Sequence, residues 1–224
     1  MVALTSTVSG SASPPKLLAS ALAGRGGLVR FSVDDVLIML RQGVLPEDAT
    51  TELLNGLIVL KDRGDRGSDL EEDPRVQGPK HRLCVRLLTK LAAVIDTADR
   101  YVQIQLPLVC GEDQMPEPDF AVVRGADRDY SDRLPTAADA FCVLEVADSS
   151  LERDAEEKRA IYAAAGISQY VILNLRNRTA EVYIASQNAT AGYAPPTMIP
   201  ETDTLSIRVG PDEFIPVLLA DILP

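Results

Sequence analysis

The sequence predicts a mixed α+β domain, a sheet flanked by helices, on three observations. The run from Phe141 to Val146 is continuously apolar but for one charge, which is the pattern of a central strand buried on both faces. Over 80–95 the apolar positions Leu83, Leu87, Leu88, Leu91, Val94 and Ile95 recur at the three- and four-residue spacing of a helix, defining one buried stripe. Shorter stretches at 101–109, 116–123, 169–175, 180–184 and 205–209 read as further strands around these two.

The elements follow in order. Ser32-Val-Asp-Asp35 resembles a helix start, and the apolar run after it ends at Gly43. Asn55-Gly56 is the dipeptide selected by a type I′ hairpin turn, because both residues tolerate positive φ, and it places Glu52 on the hairpin's first strand. A charged, glycine-bearing loop over 61–79 leads into the 80–95 helix. Pro116 and Pro118 stiffen the entry to the strand that contains Phe120. Ser149-Ser-Leu-Glu152 offers a capping box for a helix that runs to Gly166, which is placed as its C-terminal cap. Strands at 169–175 and 180–184 are joined by a turn around Asn177, and the chain closes with a strand at 205–209 and an apolar end segment.

With 224 residues and 46% hydrophobic content, the chain fits one domain over 31–224 behind a flexible tail at 1–30 rich in Ser, Ala and Gly. No basic residue precedes Lys16, which argues against a signal peptide, and no apolar run approaches the roughly 20 residues that cross a bilayer. A cytoplasmic protein is expected. Cys84, Cys110 and Cys142 lack the paired spacing of metal ribbons and fit buried thiols in a reducing compartment. A net charge of −11 argues against a nonspecific nucleic-acid coat, so any contact with DNA must be local.

Period-two geometry puts Phe141, Val143 and Glu145 on one face of their strand, so Glu145 is a carboxylate carried by an apolar element. Unpaired burial would cost several kcal/mol or force protonation, and a divalent cation shared with Asp119 is one resolution. Magnesium suits such a pair of hard oxygen ligands, with manganese as a substitute. A salt-bridged glutamate and a strand-entry aspartate are the competing reading. In the next helix Asp154, Lys158, Ile161 and Ala165 form a single stripe, and the apolar members turn it inward. Lys158 then points at the sheet, where an ammonium could orient water or stabilise phosphate charge, whereas an exposed Asp154/Lys158 pair is the alternative. His81 is the lone histidine and fits a capping, packing or accessory role. Arg82, Arg86 and Lys90 fall on one helical row that fits either a phosphate backbone or a solvated face. Glu52 is either a third acid or an exposed strand residue.

Taken in order, several segments resemble a known family. They are Glu52-Leu-Leu-Asn-Gly56, His81 at a helix start, Pro116-Glu-Pro-Asp119, Val143-Leu-Glu-Val-Ala-Asp-Ser-Ser-Leu151, then Asp154, Lys158, Tyr162, Gly166 and Tyr170-Val-Ile-Leu-Asn174. From about Phe31 to the C-terminus, this set resembles the Uma-two group of restriction-endonuclease-like proteins within the PD-(D/E)XK superfamily. The resemblance implies a PD-(D/E)XK core and a metal-dependent phosphodiesterase site, with Asp119 and Glu145 as ligands, Glu52 as an accessory acid, and a homodimer. The chain departs from the superfamily in two places. Ala147 stands where a lysine usually follows the glutamate, so that role passes to Lys158, and Leu57 replaces an acid that often follows the hairpin glycine. The expected function is a magnesium-dependent DNA endonuclease. A catalytically silent binding or assembly module on the same fold is the alternative.

Overall fold

A computed structural model describes residues 28–45, 51–60, 78–148, 150–186 and 192–224. The elements below all belong to one unit, residues 31–224. The expected tail at 1–30, except for 28–30, and most of the expected charged loop lie outside the described residues.

Helix α1 (Val33–Arg41) opens on a closed capping box: Asp35 N–H donates to Ser32 Oγ at 3.1 Å, and Ser32 N–H donates to Asp35 Oδ2 at 2.8 Å. Strands β1 (Thr51–Leu54) and β2 (Leu57–Leu60) form the expected hairpin, with φ of 52° at Asn55 and 73° at Gly56. Val33, Val36, Leu53 and Met115 make a small core between α1 and this hairpin.

The main sheet has the order β3-β4-β5-β6-β7-β8, formed by Arg100–Gln103, Phe120–Arg124, Ala140–Ala147, Gln169–Asn174, Thr179–Ile184 and Thr197–Pro200. Among these described strands β5 and β6 alone run parallel, and both are almost wholly buried, as their unbroken apolar runs require. Helix α2 (Pro79–Ile95) and the ribbon β9–β10 (Thr204–Arg208 and Phe214–Leu218) cover one face through Cys84, Leu88, Ile95, Leu205 and Ile207. Gln169 locks the ribbon to β6, donating from Nε2 to the Ser206 carbonyl at 2.8 Å and accepting from Arg208 N–H at 2.7 Å. Helix α3, over 151–164, covers the other face through Tyr162 against Tyr170, Val143 and Ile172. Among the described residues, no helix is long and apolar enough to cross a membrane.

Three local expectations are corrected. The buried stripe of α2 is His81, Cys84, Val85, Leu88, Ala92 and Ile95, whereas Leu83 and Val94 are exposed, because the helix turns Val85, Leu88 and Ile95 into the main core and Cys84 and Ala92 share that face. The strand expected over 101–109 stops at Gln103. Gln105 takes φ of 50°, and Pro107 has no N–H to give, so the chain turns out of the sheet. On β5 the pairing slips from Val122↔Cys142 to Val123↔Ala140, leaving Phe141 as an extra residue that packs with α2's core rather than beside Val143 and Glu145. The capping box expected over Ser149–Glu152 starts on Ser149, which lies outside the described residues, and the hydroxyl of its neighbour Ser150 donates to Asp154 Oδ2 at 2.6 Å. Strand β8, largely exposed at the sheet edge, carries no apolar alternation that would have announced it.

Candidate active site

The site lies where the start of β4, the end of β5, the hairpin strand β1 and two helices meet. Asp119 is the last residue before β4. Both its oxygens are held by protein donors, Oδ2 by the Val146 N–H of β5 at 2.9 Å and Oδ1 by Gln105 Nε2 at 2.9 Å. The positive φ at Gln105 that ends β3 is what brings this amide to Asp119. Glu145 lies on the α3 face of β5, as its alternation with Val143 requires.

Helix α3 begins as an α turn, Leu151–Arg153, widens to π geometry over Asp154–Lys158 and resumes as α over Arg159–Ala164. The widened turn carries Asp154 and Lys158, and both are buried, which excludes the exposed i, i+4 pair. Tyr170 of β6 donates to the Asp154 carbonyl at 3.0 Å inside this turn. Lys158 Nζ lies 2.9 Å from Glu145 Oε1 and 2.8 Å from Glu52 Oε1. Glu52 is buried rather than an exposed strand residue, and its Oε1 also accepts the Glu117 N–H at 2.8 Å. Tyr162, one turn after Lys158, donates to Glu145 Oε1 at 2.8 Å.

Burial works to lower the pKa of Lys158, but the charges of Glu145, Glu52 and Asp154 outweigh it, and the ammonium is held well above its ordinary value. Burial also pushes the Asp154 carboxyl up, against the opposing pull of Lys158 and the Ser150 hydroxyl. The Tyr162 phenol is raised by burial and by the Glu145 charge beside it, so it remains a donor.

His81 enters from the first turn of α2, with Nε2 3.4 Å from Asp119 Oδ1. Together Glu52, His81, Asp119, Glu145, Ser150, Arg153, Asp154 and Lys158 line a cavity of about 10 Å3, room for a single ion or water. All of Glu52, Asp119, Glu145, Lys158, His81 and Asp154 are thus brought together. Arg82, Arg86 and Lys90 stay outside on the exposed side of α2.

Four carboxyl groups face one lysine and one arginine here, and hard oxygen donors with excess negative charge suit a divalent cation. Among the described residues, however, no group of three or more His, Cys, Asp or Glu is arranged, as the side chains stand, so that it could hold a metal ion. The donor chemistry therefore fits the ion, while the carboxylates are presently turned to protein donors.

Sequence reading missed Gln105 and gave Tyr162 a place in the family pattern without a role. Gln105 carries no signal, since only its backbone kink aims it. Tyr162 was legible, because it falls four residues after Lys158 on the same face of α3.

A family model described as Uma2, "Putative restriction endonuclease", matches residues 68–218. The chain belongs to this family. The matched segment holds His81, Asp119, Glu145, Asp154, Lys158 and Tyr162, and Glu52 precedes it. The Uma2 chain also shares its fold with a crystal structure described as "a putative nuclease belonging to DUF820" from Anabaena variabilis. Sequence identity is 14%, the TM-score is 0.60, and the match covers 86% of this chain and 97% of that one. No curated protein matches the chain at a significant level. Family and fold together make this a nuclease-like protein of restriction-endonuclease type.

Proposed function

We propose that this Uma2 chain is a metal-dependent DNA endonuclease that hydrolyses phosphodiester bonds. The reading is carried by one observation: Glu52, Asp119, Glu145 and Asp154, all buried, converge on a cavity of ion size beside Lys158. Asp119 and Glu145 would hold magnesium, or manganese in its place. The ion would supply Lewis-acid neutralisation of the scissile phosphate.

The protein's own groups do the rest. Glu52 and Glu145 fix Lys158 Nζ between them, so its remaining proton is directed rather than free to rotate. That N–H can hydrogen-bond a phosphate oxygen as negative charge develops there, or hold the incoming water in line. Water adds to phosphorus and releases a proton to solvent, the P–O bond to the leaving oxygen breaks and that oxygen takes up a proton, and the products are a phosphomonoester and a hydroxyl.

A silent binding module remains the second reading, favoured by the engagement of both Asp119 oxygens with Val146 and Gln105. The deciding experiment is cleavage of supercoiled plasmid and single-stranded DNA at low salt with magnesium, manganese or EDTA, for wild type and Asp119→Ala. Nicking that needs metal and is lost in the variant supports the enzyme. No cleavage together with no metal binding by calorimetry leaves the binding module.

A further inference from the structure

We infer that His81 is a third, nitrogen ligand of the ion, which makes the site prefer manganese or another transition ion over magnesium. The inference rests on the reading of Asp119 and Glu145 as ion ligands.

His81 is the chain's single histidine. Its side chain is only 7% exposed, and Nε2 is a buried atom that makes no hydrogen bond. Buried polar atoms almost always find a partner, so one that does not, facing a polar cavity, marks a place for a ligand. Nε2 lies 3.4 Å from Asp119 Oδ1 without forming a hydrogen bond to it. That separation is close to what two ligands of one ion adopt, since neighbours in an octahedron with bonds near 2.1 Å stand about 3 Å apart.

The backbone holds the imidazole in this position. Pro79 starts α2 with its φ preset, and Cys84, Leu88 and Ile95 seat the same helical face in the main core, so the backbone that carries His81 is fixed beside the site. Imidazole suits zinc, copper, iron and nickel, and manganese, although mostly an oxygen-seeking ion, belongs to the same first-row series, whereas magnesium holds to oxygen ligands and water. A carboxylate and histidine set therefore biases the ion that the carboxylates alone would leave to magnesium.

The test is pulsed electron paramagnetic resonance on the full chain loaded with manganese. With one histidine present, directly coordinated imidazole nitrogen can come only from His81. The expected result is a nitrogen coupling that changes when histidine alone is labelled with 15N and vanishes in His81→Gln. Calorimetry should show that this variant loses more manganese affinity than magnesium affinity. A manganese-loaded chain without the coupling, or with it unchanged in His81→Gln, overturns the inference while leaving the carboxylate site in place. Wild type that binds no manganese overturns both this inference and the reading it rests on.

Discussion

Lys158 reaches Glu145 from 13 residues further along the chain, with Nζ 2.9 Å from Glu145 Oε1 and both side chains buried. Ala147, two residues past Glu145, is too short to supply a cation, and the widened turn of α3 delivers one from the covering helix instead. The lysine also binds Glu52 of the hairpin, so one ammonium neutralises acids from two parts of the fold.

Replacing Lys158 with Met should therefore be costly for stability as well as activity. It leaves Glu145 and Glu52 buried without their cation, and breaking such a pair from one side costs about 3–5 kcal/mol. Urea unfolding should show the loss. Adding Glu145→Gln to Lys158→Met should recover part of it, because the residual buried charge falls. Equal stabilities for the single and double variants would mean that the charges are not what the lysine compensates.

The Tyr162 hydroxyl shares Glu145 Oε1 with Lys158. Tyr162→Phe keeps the ring, which packs against Tyr170 at 4.9 Å between centroids, and removes only the donor. The expected cost is about 1–3 kcal/mol for a buried hydrogen bond to a charged group. It should appear as a lower urea midpoint with an unchanged slope.

The strands at the centre of the fold were legible because β5 and β6 are buried on both faces, and an unbroken apolar run has no other stable setting there. Glu145 stood out against that run, and the stripe that Asp154 and Lys158 share with apolar Ile161 and Ala165 turned them inward. The phase of α2 was misread for a physical reason. Leu83 and Val94 outrank Cys84 and Ala92 in hydrophobicity, yet the face that Val85, Leu88 and Ile95 turn into the main core is the one that Cys84 and Ala92 share. Phe141 was placed on the wrong face because a bulge adds one residue and reverses the alternation, and bulges leave no mark in composition. Gln105 was invisible for the same kind of reason, since its role depends on a backbone turn.

Asp154 gives the site a pH signature. Burial holds its carboxyl above the ordinary value of about 3.9, so the folded chain keeps this proton to higher pH than the unfolded chain does. The folded state then binds more protons than the unfolded one between those two values, and stability falls as pH rises through that window. Asp154→Asn removes the titration. The variant should lose this decline and gain stability relative to wild type at neutral pH, read from unfolding midpoints at a series of pH values. A wild-type curve without the extra decline would show that the Lys158 charge and the Ser150 hydroxyl offset the burial completely.

The exposed row Arg82, Arg86 and Lys90 starts one residue after His81, so α2 carries positive charge from the edge of the site along its outer side. In a chain of net charge −11, such a local row is where a phosphate backbone could gain attraction without a basic coat. Replacing all three with Ala should weaken binding to any DNA sequence alike, because groups that meet only phosphate carry no base information. The slope of log K against log salt should become shallower by about 0.9 for each phosphate that is no longer neutralised. Stability should stay within about 0.5 kcal/mol of wild type, since the row does not face the core. A slope unchanged in the triple variant would make the row a solvated helix face and favour a DNA path on the other side of the cavity, around Arg153.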